Sequence, residues 1–142
     1  MPLRALENLA RVGQLKAKPG VQSEIDGLVR SGVARLKDAR IVTLSPESRF
    51  ELAYNAAHAF SLAALRWHGY RSENRYLVFQ CLQHTMGLPA EQWRVLEQAH
   101  RRRNLAEYSG HSIVDQSLLD ALLRVTSEVS NHISRLGPIS QS

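Results

Sequence analysis

Apolar residues recur along this chain at steps of three and four and show no sustained alternation, a pattern of amphipathic helices rather than strands. Leu3, Leu6, Leu9, Ala10 and Val12 form the first stripe, interrupted at Gly13 and closed by Pro19-Gly20. Ser23 with Glu24 and Asp26 supplies the expected cap and acidic first turn of a second helix. Its apolar face is Ile25, Leu28, Val29, Val33 and Leu36, and it ends near residues 42–44. Ser45-Pro46-Glu47 then gives a cap, a proline at the first helical position and an acid. The helix that follows stops at Gly69, a glycine placed for a left-handed end. It contains six alanines between Ala53 and Ala64. Small side chains let helices approach closely, which marks this helix as the central one.

A fourth helix is expected from Glu73 to Met86, ended by Gly87, and a fifth starts at Pro89. The last begins at Asp115 and carries Leu118, Leu119, Leu122, Leu123, Val125, Val129 and Ile133 until Gly137-Pro138 stops it. The predicted fold is all-α: one domain over residues 1–142, an up-and-down helical bundle. Residues 1–20 form a short N-terminal helical extension, and residues 137–142 a flexible tail.

Cys81 is the single cysteine among 142 residues, which excludes an internal disulfide and a CxxC zinc site. Cys81 and His84 share a helix, but no second pair follows, so no metal and no cofactor are expected. No apolar run approaches the roughly 20 residues of a bilayer span, and the first residues carry charge throughout, without a signal-peptide core. A cytoplasmic protein without a membrane partner is the expectation.

Charge changes the picture more. Lys+Arg number 18 against 13 Asp+Glu, for a net charge of +5, and only Lys16, Lys18 and Lys37 are not arginine. Arginine's planar fork suits phosphate, although the same excess arises from a high-GC coding bias. The densest polar run is HRRRNLAEYSGH, His100 to His111. On a wheel of about 100° per residue with His100 at zero, Glu107, His111 and Asn104 fall within about 40° of it. Tyr108 lies at about +80°, with Arg103 at about −60° and Arg101 at about +100° on the two flanks. Such a face can bind phosphate and exchange protons near neutral pH. It equally fits a solvated face with an Arg103–Glu107 ion pair. His58, set among alanines, reads as a core or interface histidine, and His68 as a residue favouring the helix end. No P-loop, GxGxxG, HExxH or GxSxG is present.

Five segments carry a resemblance. They are LxxLxxxGxLK at Leu6 to Lys16, RLKDAR at Arg35 to Arg40, LSPESRFELAYNAAHAFSLAALRWHGYR at Leu44 to Arg71, RRRNLAEY at Arg101 to Tyr108, and the long amphipathic last helix. Together they resemble prokaryotic HEPN domains (higher eukaryotes and prokaryotes nucleotide-binding), in particular a small stand-alone branch. The resemblance implies a helical bundle, often a homodimer. It also implies RNA or nucleotide binding and, in many members, a metal-independent endoribonuclease or toxin encoded beside a nucleotidyltransferase-like antitoxin. Active members carry an arginine, a polar residue and, a few positions on, a histidine. Arg103 and Asn104 match the first two, and Tyr108 stands where the family has histidine. The catalytic set implied is therefore Arg103, Asn104 and Tyr108, with His111 or His100 as substitute base. His100, Arg101, Arg102 and Glu107 are the nucleic-acid-binding candidates. The alternative is a non-catalytic helical dimerisation or protein-interaction module in which the same cluster shapes an interface.

Overall fold

The alanine-rich stretch does become the central helix. In the computed structural model, which describes residues 3–109 and 115–139 and only the backbone at 106–109, this helix is α3, Pro46–Trp67. Before it come α1 (Arg4–Arg11), a two-residue strand β1 (Lys16–Ala17) and α2 (Gln22–Ala39). After it come β2 (Tyr70–Arg71), α4 (Arg75–Gln80), α5 (Leu82–Thr85), α6 (Ala90–Ser109) and α7 (Gln116–Ser134). The chain is a helical bundle, and among the described residues no helix is long and apolar enough to cross a membrane.

The start of α3 follows its sequence signal: Ser45 Oγ accepts from the Ser48 amide, with Pro46 in the first turn. All six alanines of α3 are buried, together with Tyr54 and Phe60. Helices α2 and α7 pack against this surface. The approach of α2 depends on Gly32, because a Cβ there would sit 2.6 Å from the Phe60 ring. Asp115 caps α7 by accepting from the Ser117 amide, and Leu119, Leu122, Val125, Val129 and Ile133 bury its inner face.

The N-terminal segment is built into the fold rather than appended to it. Leu6 and Leu15 are buried with Leu65, Val78 and Cys81 in a second apolar cluster. Strand β1 pairs antiparallel with β2, Lys16 opposite Arg71 and Ala17 opposite Tyr70. Gly69 makes the pairing possible: at φ +88° it turns the chain out of α3, and its carbonyl accepts from the Lys18 amide at 2.8 Å. Beneath this hairpin lies Arg66, only 1% exposed. Its Nε donates to Glu24 Oε1 at 2.8 Å, Nη1 to the Lys18 carbonyl at 2.8 Å, and Nη2 to the Pro19 carbonyl at 2.9 Å. Arg66 thus fastens the N-terminal segment and α2 to the end of α3.

Four boundaries differ from expectation. Helix α2 opens after Val21 with no side-chain cap, so Ser23 lies inside its first turn. It also ends at Ala39, where Arg40 and the short turn after it begin the return to α3. The expected fourth helix divides at Cys81 into α4 and α5. Finally, the start of the tail is held in place. Trp67 Nε1 donates to the Gly137 carbonyl at 2.9 Å, and the Ile139 amide donates to Gln22 Oε1 at 2.9 Å. Residues 140–142 lie outside the described residues.

Candidate functional site

The polar residues of α6 meet a second set that α3 and α4 supply. Along α3, Glu51, Tyr54, Asn55 and His58 follow one another at helical steps, so they share one face among the alanines. Asn74 caps α4 by accepting from the Leu77 amide, which places Arg75 in the first turn and Phe79 one turn later.

The centre is His100 on α6. Its Nδ1 lies 2.8 Å from the Tyr54 hydroxyl, and its Nε2 lies 3.2 Å from Asn104 Nδ2. With the Asn104 amide donating to Nε2, the complementary tautomer carries its proton on Nδ1 and donates to the Tyr54 oxygen. Tyr54 is fully buried. Its ring meets Phe79 edge-on at 5.7 Å and lies nearly parallel to the His100 imidazole at 6.2 Å. The histidine is therefore oriented from both ring nitrogens and walled by aromatic groups.

Two guanidinium groups converge on the same tyrosine. The Arg103 carbon lies 5.0 Å from the Tyr54 ring centroid and the Arg75 carbon 5.6 Å from it, both within cation–π range. Arg103 Nε also lies 3.7 Å from Glu51 Oε1, and Arg75 Nη1 donates to Asn55 Oδ1 at 3.1 Å. Their charge reaches both imidazoles. Burial holds His100 below the ordinary histidine range, with Arg103 and then Arg75 adding to the effect. His58, whose ring meets Phe79 edge-on, is pushed down to about 4 by burial, then by Arg75, Arg103 and His100. Both are neutral at pH 7, so each offers a lone pair rather than a charge.

The remaining candidates divide. Arg101 turns away from the centre to an ion pair with Glu97 at 3.3 Å, its side chain 69% exposed. Glu97 also accepts from the Tyr76 hydroxyl at 2.6 Å, a bond that raises the phenol's pKa. Arg102 is half-buried and makes no hydrogen bond or ion pair with the described residues. The side chains of Glu107 and Tyr108, and the whole of His111, lie outside the described residues. Among the described residues no cluster of three or more metal-ligating side chains occurs. A cleft of about 370 Å³ bordered by Ile25, Val29, Trp67 and Ile133 lies elsewhere, between α2 and α7, and none of these polar residues lines it.

The sequence reading missed Glu51, Tyr54, Asn55 and Arg75, and gave His58 a packing role only. The available signal was the polar stripe at helical spacing within the alanine-rich helix. Comparison with family models, curated proteins and solved structures finds no match to this chain, so the family stays a resemblance.

Proposed function

We propose that the α3–α4–α6 cluster is a phosphate-directed site of a HEPN-like RNA- or nucleotide-binding protein, and that it cleaves RNA without a metal ion. One observation carries this reading: the Arg103 guanidinium lies over the same buried tyrosine that orients a neutral histidine. Metal-free cleavage proceeds by attack of the ribose 2′-hydroxyl on the adjacent phosphorus, with loss of the 5′-oxygen. It requires a base for the hydroxyl proton, an acid for the leaving oxygen, and positive charge near the equatorial oxygens. His100 Nε2 is the base once RNA displaces the Asn104 amide from it, and Arg103 supplies the charge. Tyr108, where the family has histidine, serves as hydrogen-bond donor or acid, since a phenol near pKa ~10 is a poor base at neutral pH. In the setting that the resemblance implies, the protein is a homodimer and a toxin-type component with a nucleotidyltransferase-like antitoxin as partner.

A second reading also has an observation in its favour. Arg103 of α6 lies against Glu51 of α3, as it would if the cluster only held helices together in a dimerisation or interaction module. RNA cleavage in EDTA separates the two. The first reading expects cleavage by the wild type and a loss of about a hundredfold in Arg103→Ala, the cost typical of one removed oxyanion donor. Cleavage unchanged by Arg103→Ala, or absent where the dimer is confirmed, removes the ribonuclease and leaves the cluster a binding or partner-docking role.

A further inference from the structure

Away from the polar cluster, a groove runs between α2 and α7. On a wheel of about 100° per residue, Asp26, Val29, Lys37 and Arg40 fall within about 40° of Val33 and form one stripe along α2. The stripe borders two depressions in line. One, of about 370 Å³, takes in Asp26 and Val29, and the other, of about 340 Å³, takes in Val33, Lys37 and Arg40. On the α7 side the walls include Ser134 and Ser130, whose side chains are short. Val33, which the sequence pattern places on the apolar face of α2, is 51% exposed, and Ile41, the residue after the C-cap of α2, is 44% exposed. The two ends of the stripe carry opposite charge. Asp26 accepts from Gln22 Nε2, and Arg40 donates to Ser127 Oγ. Neither has a counter-charge within 4.0 Å among the described residues.

We propose that a second copy of the chain docks in this groove, with the two α2 helices antiparallel about a two-fold axis at Val33. Asp26 and Arg40 stand seven residues to either side of Val33. The axis therefore sets Asp26 of each chain level with Arg40 of the other, and the two valines meet between these pairs. The charge pattern selects this direction, because in a parallel pair each charge would face its like. The seven-residue spacing is also the period at which paired helices keep one seam in contact, and the seam spans about 21 Å from Asp26 to Arg40. The same register sets Ile41 of one chain level with Ile25 of the other, at the larger depression, which Val29, Trp67 and Ile133 also border. An exposed apolar side chain thus meets an apolar hollow at both ends of the contact. The α3–α4–α6 cluster lines neither depression. The proposal rests on the homodimer of the reading above and supplies its face.

The test is sedimentation equilibrium of the full chain at low ionic strength, at tens to hundreds of micromolar, with thermal melting to confirm that each variant is folded. Wild type is expected to dimerise. Val33→Asp sets two carboxylates together on the axis and is expected to leave a monomer throughout. Asp26→Arg and Arg40→Glu each turn both charge pairs repulsive and are expected to raise the dissociation constant about tenfold or more. Arg94→Glu, on an exposed position of α6, is expected to change it by less than about twofold. Mixed in equal amounts, the Asp26→Arg and Arg40→Glu chains restore opposite charges at both pairs and are expected to form a heterodimer about as tight as wild type. A monomeric wild type leaves the groove to another occupant and overturns the proposal. So does a dimer that survives Val33→Asp, or a pair of charge variants that stay apart when mixed. RNA cleavage in EDTA by a monomeric wild type overturns the proposal and leaves the ribonuclease reading standing. Dimerisation that follows these variants, without cleavage, upholds the face and removes that reading.

Discussion

Helix α3 passes two arginine clusters, and they are built on opposite principles. At its C-terminal end Arg66 is saturated: a carboxylate and three backbone carbonyls accept from it, and 1% of the residue is exposed. Nearer its N-terminal end, Arg75 and Arg103 both lie over one tyrosine, and Glu51 lies 3.7 Å from Arg103. The first arrangement completes its charge balance within the chain and acts as a fastener. The second sets two guanidinium groups beside two imidazoles held below the ordinary histidine range.

The largest expected effect lies at the fastener. Arg66→Met orphans the carbonyls of Lys18, Pro19 and Tyr70 and is expected to destabilise by about 3–5 kcal/mol in urea unfolding. A loss below about 1 kcal/mol would erase the contrast between the two clusters. Next comes acid. His58 titrates from a reference of 6.5 in the unfolded chain to about 4 in the fold. The unfolded state therefore binds more protons between these values. Stability is whole above pH 6.5 and falls as the pH drops toward 4, by about 2 kcal/mol between pH 7 and pH 5. His58→Leu should flatten that part of the unfolding profile, and a variant profile parallel to wild type would show that His58 is not its source. The smallest effect is expected at Arg75. Arg75→Gln should shift stability by less than about 1 kcal/mol, because it removes repulsion along with its contacts, while raising the NMR titration midpoint of His58. A loss as large as that of Arg66→Met would make Arg75 a second fastener.

The helices were legible because their ends are chemically marked: Ser45-Pro46, Gly69 and Asp115 all cap where expected. The β1–β2 pair was not, since two residues per strand give no alternation to detect. The break at Cys81 was invisible for a related reason, as the φ −65° and ψ −16° of that residue are close to helical. Of the site, the α6 half could be placed by spacing, and the His100–Asn104 contact follows from their separation of one turn. The α3 and α4 half could not, because what brings Tyr54 and Arg75 to His100 is tertiary packing around Phe79. A wheel drawn for one helix contains no information about its neighbours. It therefore placed Arg101 on the flank of the active face, whereas the position of Glu97 draws it outward.

The second apolar cluster has a consequence for how the molecule opens. Cys81 is 1% exposed beneath Leu6 and Leu15, and burial pushes its thiol up to about 11. As the single cysteine, it is a built-in clock for the N-terminal segment. A thiol this buried is modified through local opening of the cluster around it, so the labelling rate at rising urea reads the free energy of that opening separately from global unfolding.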